Sequence, residues 1–226
     1  MNVAGLGRAG DGPAVKIALL GAESTGKTTL AAELAAHLRA GGHTVAVVPE
    51  VLREWCCRER REPRPQEHWS IAQEQERRVD AAAAGAQVVI ADTTALMVAI
   101  YGAMLFEGEP LLQFALERQR GYDITLLMGL DLPWTPDGLQ RAGPQVQGAV
   151  DAQVRQLLAR AAVAYRVVYG TGAERLRNAR AALPPDLAGR GVATDAASAR
   201  TAWVWQCDQC SDPECEHRLF TGLVGR

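Results

Sequence analysis

The sequence predicts an α/β fold, a parallel sheet with helices on both faces, followed by a small Cys/His-rich tail. Three observations carry this. Short apolar runs stopped by turn residues alternate with stretches of helical period. A glycine-rich loop with one lysine lies between the first such run and the first helical stretch. Three of the five cysteines crowd the last twenty residues.

The elements follow in order. Residues 1–13 are glycine-rich without periodicity and read as a flexible leader. Residues 15–20, VKIALL, form an apolar run stopped by Gly21, as a buried strand does. In residues 27–40, Leu30, Leu34 and Leu38 recur every fourth position and Gly41-Gly42 follows, which gives a helix with a C-terminal stop. Residues 44–48 form a second strand, closed by Pro49-Glu50. A short helix then carries Arg53 and Glu54. The charged, proline-punctuated stretch 58–65 reads as a solvated loop, because Glu59 and Glu62 interleave its arginines. A long helix is expected over 66–84, and a third strand over 87–91 ending at Asp92. Helices over 94–106 and 110–120 precede a fourth strand, 123–128. A Pro/Gly-rich loop at 133–143, a helix at 146–162, a fifth strand at 166–169 and a helix at 172–183 complete the pattern. Strands alternating with helices imply βαβ units and a parallel sheet. The expected organisation is a leader (1–13), one core domain (14–183), a linker (184–199) and the tail (200–226).

Composition narrows the function. A net charge of −2 gives no global basic field, so nucleic acid is not an expected partner. Apolar stretches such as Val88-Val89-Ile90-Ala91 fall far below the roughly 18–20 residues of a membrane helix, so no membrane association is expected. The first twelve residues hold no apolar h-region, so no secretory signal is expected. An odd cysteine count with a clustered trio argues against a disulfide framework and for a reduced, cytoplasmic setting. Only two lysines occur beside 22 arginines, which makes Lys27 conspicuous.

Lys27 belongs to Gly21-Ala22-Glu23-Ser24-Thr25-Gly26-Lys27-Thr28, a full match to G-x-x-x-x-G-K-S/T between a strand and a helix, with Thr29 next in the chain. The pattern has a physical reason. Glycines let backbone N–H groups wrap a phosphate, and the following helix turns its positive end to the anion. Lys27 then reaches the β and γ phosphates, and the Thr28 hydroxyl can ligate Mg²⁺. The fold expected is therefore of the P-loop NTPase type. Two acids lie at predicted strand ends, where open α/β sheets bind ligands. Asp92 fits the second Mg²⁺-holding position, the alternative being a helix N-cap. Glu50 fits a base that accepts a proton from an acceptor hydroxyl, the alternative being a solvated strand end. Arg53 fits either a phosphate contact or a pairing with an acid. Arg141, in the loop after the fourth strand, is the candidate lid arginine for the transferred phosphoryl group; the alternative is an exposed loop anchored by Trp134.

The order GAESTGKTTL, PEVLRE, VVIADTT and PWTPDGLQRAG resembles the ribosylnicotinamide kinase domain of NadR-type proteins, the NadR/Ttd14 AAA-like group, over about residues 15–183. The specific features are Glu-x-x-Arg-Glu (Glu50, Arg53, Glu54) and Trp-x-x-Asp-Gly-Leu (Trp134, Asp137, Gly138, Leu139). The resemblance implies an ATP-dependent kinase of nicotinamide riboside that makes nicotinamide mononucleotide. Asp92-Thr93-Thr94 stands where the family often has Asp-Thr-Asp. The lid arginine, Arg141, is displaced by one residue. The adenylyltransferase and DNA-binding domains of full-length NadR proteins have no counterpart here, so a stand-alone kinase is implied. The competing functional reading is an NTP-hydrolysing regulatory switch whose lid or tail contacts a protein partner.

The tail carries its own signal. Cys207 and Cys210 have C-x-x-C spacing, and Cys215 and His217 follow closely. Cys₃His is an accepted structural zinc set, so a zinc-knuckle-like tail with one Zn²⁺ is expected. So short a segment cannot bury a core of its own, and metal would supply its folding energy.

Overall fold

The computed structural model describes residues 12–103, 109–135 and 145–188. The elements run β1 (Val15–Leu20), α1 (Lys27–Ala40), β2 (Val45–Val48), α2 (Val51–Glu59), α3 (Glu67–Ala83), β3 (Val88–Asp92) and α4 (Ala95–Ala103). They continue with α5 (Glu109–Gln119), β4 (Ile124–Met128), α6 (Gln145–Arg160), β5 (Arg166–Val168), α7 (Gly172–Ala181) and α8 (Pro185–Ala188). The strands form one sheet in the order β2-β3-β1-β4-β5, and every neighbouring pair is parallel. The predicted α/β architecture of the P-loop NTPase type is thus present.

Strand periodicity sorts the core. Ile17, Leu19, Val88 and Ile90 face the side packed by Leu30, Leu34 and Leu38 of α1 and Ala179 of α7. The residues between them point the other way. Ala18, Val89 and Ala91 meet Val79 of α3, and Leu20 joins the cluster of α4 and α6 residues. Both faces are therefore apolar, as a parallel sheet requires. β1 sits in the centre, and Leu19 stands opposite Asp92 of β3. The chain leaves β1 for β2 through α1 on one face and passes from β3 to β4 through α4 and α5 on the other. Connections diverging at the carboxyl end of β1 open a crevice there.

Among the element ends that differ from expectation, two stand out. α2 continues to Glu59, two residues into the stretch expected as loop, and ends at Arg60 in the left-handed region with φ 56°. Residues 185–188 of the expected linker are helical, because Leu187 and Ala188 bury their side chains with the α1 and α7 core. The linker from residue 189 onward and the tail lie outside the described residues.

Candidate functional site

The P-loop is shaped by its own residues. Gly21 has φ 141°, and a Cβ there would stand 3.0 Å from Met128 Cβ. Gly26 has φ 81°, and a Cβ would stand 2.9 Å from Leu132 Cδ1. Both positions need glycine for backbone, and at Gly21 the Met128 Cβ also leaves little space. Ser24 joins them at φ 58°, and the Thr25 hydroxyl closes the turn by donating to the Ala22 carbonyl at 2.7 Å. α1 starts from Gly26 with no side-chain cap and no acid in its first turn. Its first amides and its positive end thus face the crevice, ready for an anion. Lys27 is buried and donates from Nζ to the carbonyls of Gly21 and Ala22, each at 2.8 Å. The ammonium is thereby held over the loop. A cavity of about 390 Å³ lies in front of residues 24–29, lined also by Arg53 and by a wall of Leu132, Pro133 and Thr135. Ser24 ties the loop to that wall by donating to the Thr135 carbonyl at 2.7 Å.

The acids come next. Thr28 Oγ1 donates to Asp92 Oδ2 at 2.6 Å, although 64 residues separate them. Asp92 is 2 % exposed, and its Oδ1 is buried without a hydrogen-bond partner. A buried carboxylate oxygen without a donor is costly. A divalent cation beside Thr28 would satisfy it, so the residues present fit Mg²⁺. The competing role for Asp92, capping α4, belongs to others. Thr94 Oγ1 accepts from the Leu96 N–H at 3.2 Å, and Glu76 Oε1 accepts from the Ala95 N–H at 2.9 Å. Between Asp92 and Thr94, Thr93 is held at φ 86°. That is an outlier for a β-branched residue, and such backbone costs about 1–3 kcal/mol.

Glu50 precedes α2, gives it no side-chain cap, and pairs with Arg53 at 3.0 Å with its side chain only 10 % exposed. It is therefore not a solvated strand end. Of the two roles open to it, Arg53 takes the pairing with an acid, holding Glu50; it also lines the cavity and donates from Nη1 to Thr28 Oγ1 at 3.1 Å. Glu54, from the same sequence motif, instead receives Arg78 at 2.6 Å.

Two contributors escaped the sequence reading. Arg175 of α7 is 4 % exposed and donates to the Thr25 carbonyl and to Asp131 Oδ1, each at 2.5 Å, and to the Gly170 carbonyl at 2.7 Å. A buried guanidinium needs such partners, and here they brace the P-loop from behind. Gln147 of α6 donates to the Glu23 carbonyl at 2.6 Å. In sequence both look like ordinary polar helix positions, and nothing local marks them. Arg141 and the four expected zinc ligands, Cys207, Cys210, Cys215 and His217, lie outside the described residues. Among the described residues no group of three or more His, Cys, Asp or Glu side chains converges as a metal-binding cluster. Among them too, no helix is long and apolar enough to cross a membrane.

A doubly covered parallel sheet with this loop at the end of its central strand defines a P-loop nucleotide-binding domain. A family model described as an AAA domain matches residues 16–175, and the chain belongs to that family. Among solved structures it is similar to a NadR protein in complex with NAD and AMP-PNP, at 17 % identity and TM-score 0.58, covering 74 % of this chain and 47 % of that one. A NadR protein in complex with NR matches at 19 % identity and TM-score 0.57, covering 74 % and 49 %. The chain thus spans about half the length of these NadR chains. Thymidylate kinase from Ehrlichia chaffeensis matches at 12 % identity and TM-score 0.50, covering 71 % and 89 %. These likenesses show a shared fold. No curated protein sequence matches the chain.

Proposed function

We propose that the domain is an ATP-dependent kinase of a small nucleoside-type hydroxyl acceptor in the cytoplasm, with nicotinamide riboside as acceptor and nicotinamide mononucleotide as product. The observation that carries the reading is the Thr28–Asp92 contact, with its unsatisfied buried oxygen, beside a P-loop whose helix start is uncapped. The acceptor is supported by the sequence motifs around Glu50 and Trp134 and by the fold shared with NadR in complex with NR. Phosphoryl transfer asks mainly for positioning and charge stabilisation. The loop amides and Lys27 hold the β and γ phosphates. Thr28 and Asp92 hold Mg²⁺, which when bound neutralises charge on those phosphates. Glu50 accepts the proton as the acceptor oxygen bonds to the γ phosphorus and the bond to the β–γ bridging oxygen breaks, releasing ADP. Arg141 is the lid arginine for the transferred group.

The test is ATP turnover with and without nicotinamide riboside, extended to a panel of nucleosides. Strong acceptor-dependent ADP release is expected. Hydrolysis indifferent to every acceptor replaces this reading with the NTP-hydrolysing switch. In the tail, the spacing of Cys207, Cys210, Cys215 and His217 supports one structural Zn²⁺. Elemental analysis of protein purified without chelator is expected to find about one zinc per chain. Metal-free protein overturns the tail assignment alone.

A further inference from the structure

Gln75 and Glu76 are consecutive residues in the middle of α3, and both are buried, at 0 % and 3 % exposure. A buried amide and a buried carboxylate are tolerated only when hydrogen-bonded. The partners of both lie in the two turns that carry the acids. Gln75 Oε1 accepts from the Val51 N–H at 2.9 Å, and its Nε2 donates to the Pro49 carbonyl at 3.3 Å. One side chain thus grips the backbone on either side of Glu50. Glu76 Oε1 accepts from the Ala95 N–H at 2.9 Å, three residues after Asp92. Its other oxygen receives the Tyr122 hydroxyl at 3.1 Å and Arg118 Nε at 3.4 Å, which fix the carboxylate in place.

Val51 and Ala95 are the first residues of α2 and α4. Helix starts are ordinarily capped by a nearby residue in sequence or by water. Here one rigid helix supplies both partners from 24 and 19 residues away. The turn that Glu76 holds contains Thr93 at φ 86°, a conformation that persists only where its surroundings impose it.

We propose that Gln75 and Glu76 are a positioning pair, Gln75 setting Glu50 toward the acceptor and Glu76 setting the Asp92 turn toward Mg²⁺. The proposal rests on the kinase reading for Gln75, and only on Mg²⁺-dependent nucleotide binding for Glu76. Neither residue touches substrate; each acts through the turn it holds.

The experiment uses the full chain with Gln75→Ala, Glu76→Ala and Glu76→Gln. Calorimetry of ATP binding across a Mg²⁺ series, with no acceptor present, gives the Mg²⁺ half-saturation of each. Turnover at saturating Mg²⁺ gives kcat, and thermal melting reports stability separately. Glu76→Ala is expected to raise the Mg²⁺ half-saturation about tenfold. Glu76→Gln keeps an oxygen facing the Ala95 N–H and is expected to restore the wild-type Mg²⁺ value even where its melting point falls. Gln75→Ala is expected to lower kcat about tenfold or more with unchanged Mg²⁺ half-saturation. Should Glu76→Ala fail to fold, Glu76→Asp, which withdraws the oxygen by one methylene, is read in its place. Lower melting points with Mg²⁺ half-saturation and kcat unmoved overturn the proposal. A wild type that transfers phosphate to no acceptor overturns the kinase reading and the Gln75 half with it; the binding series still decides Glu76.

Discussion

The two sides of the crevice are built in different ways. The phosphate side is a loop of eight residues whose glycines, closing hydroxyl and lysine complete most of its shape within the motif. The acid side consists of two strand ends, Glu50 and Asp92, whose turns take their partners from α3. A site of the first kind is specified by short-range sequence. A site of the second kind is specified by packing, and it tolerates no loss of the element behind it. Arg175 qualifies this contrast, because even the local loop leans on α7 through the Thr25 carbonyl.

The comparison breaks most visibly at Lys27. Lys27→Ala is expected to reduce turnover about a thousandfold while leaving the fold intact, since its bonds to Gly21 and Ala22 stay within the loop. Turnover like that of the wild type sinks the phosphate assignment.

Arg175→Ala attacks the same loop from the tertiary side. It removes the guanidinium from Asp131 Oδ1, leaving that carboxylate the Gly170 N–H on its other oxygen, and takes the same donor from the Thr25 carbonyl. A loss of about 3–5 kcal/mol in unfolding free energy is expected, measured by denaturant titration, together with weaker ATP binding. Arg175→Lys is expected to recover little, because an ammonium cannot reproduce the planar fork that spans three acceptors. Unchanged stability in both variants means the P-loop is self-sufficient.

On the acid side, Glu50→Gln is expected to lower kcat about a hundredfold at unchanged Mg²⁺ requirement. Asp92→Asn is expected to raise the Mg²⁺ requirement as well. Equal Mg²⁺ dependence in the two variants removes the division of labour between the strand ends.

The smallest effect belongs to the start of α3. The Arg61 guanidinium, helped by the Arg64 N–H, holds the Glu67 carboxyl at about 2, below its ordinary 4.5. An acid with a lowered folded value stabilises the fold fully above its unfolded value and loses that contribution as pH falls through the folded one. Glu67→Gln is therefore expected to flatten the fall in stability between pH 4.5 and about 2, a window set by those two values. The pair is solvent-exposed, so the change is small and neutral-pH activity stays level. A drop in activity at pH 7 shows that the platform under the acids is looser than its buried middle implies.

The sequence by itself determined the parallel α/β sheet, the P-loop, and the placing of Asp92 at the end of β3 and of Glu50 in the turn after β2. Each follows from a short-range rule: apolar period, glycine conformational freedom, or the termination of an apolar run. It also separated the helices well, since α1 and α3 differ from their expected limits by at most a residue. Tertiary structure alone decided that Thr94 and Glu76, rather than Asp92, serve the start of α4, which leaves Asp92 Oδ1 unpartnered. It alone brought Arg175 to Thr25 across 150 residues and folded residues 185–188 onto the core. The physical reason is common to all three. A side chain's partner, polar or apolar, is chosen by which element lies beside it once the sheet is ordered and its faces are covered. That neighbour carries no mark in the sequence around either residue.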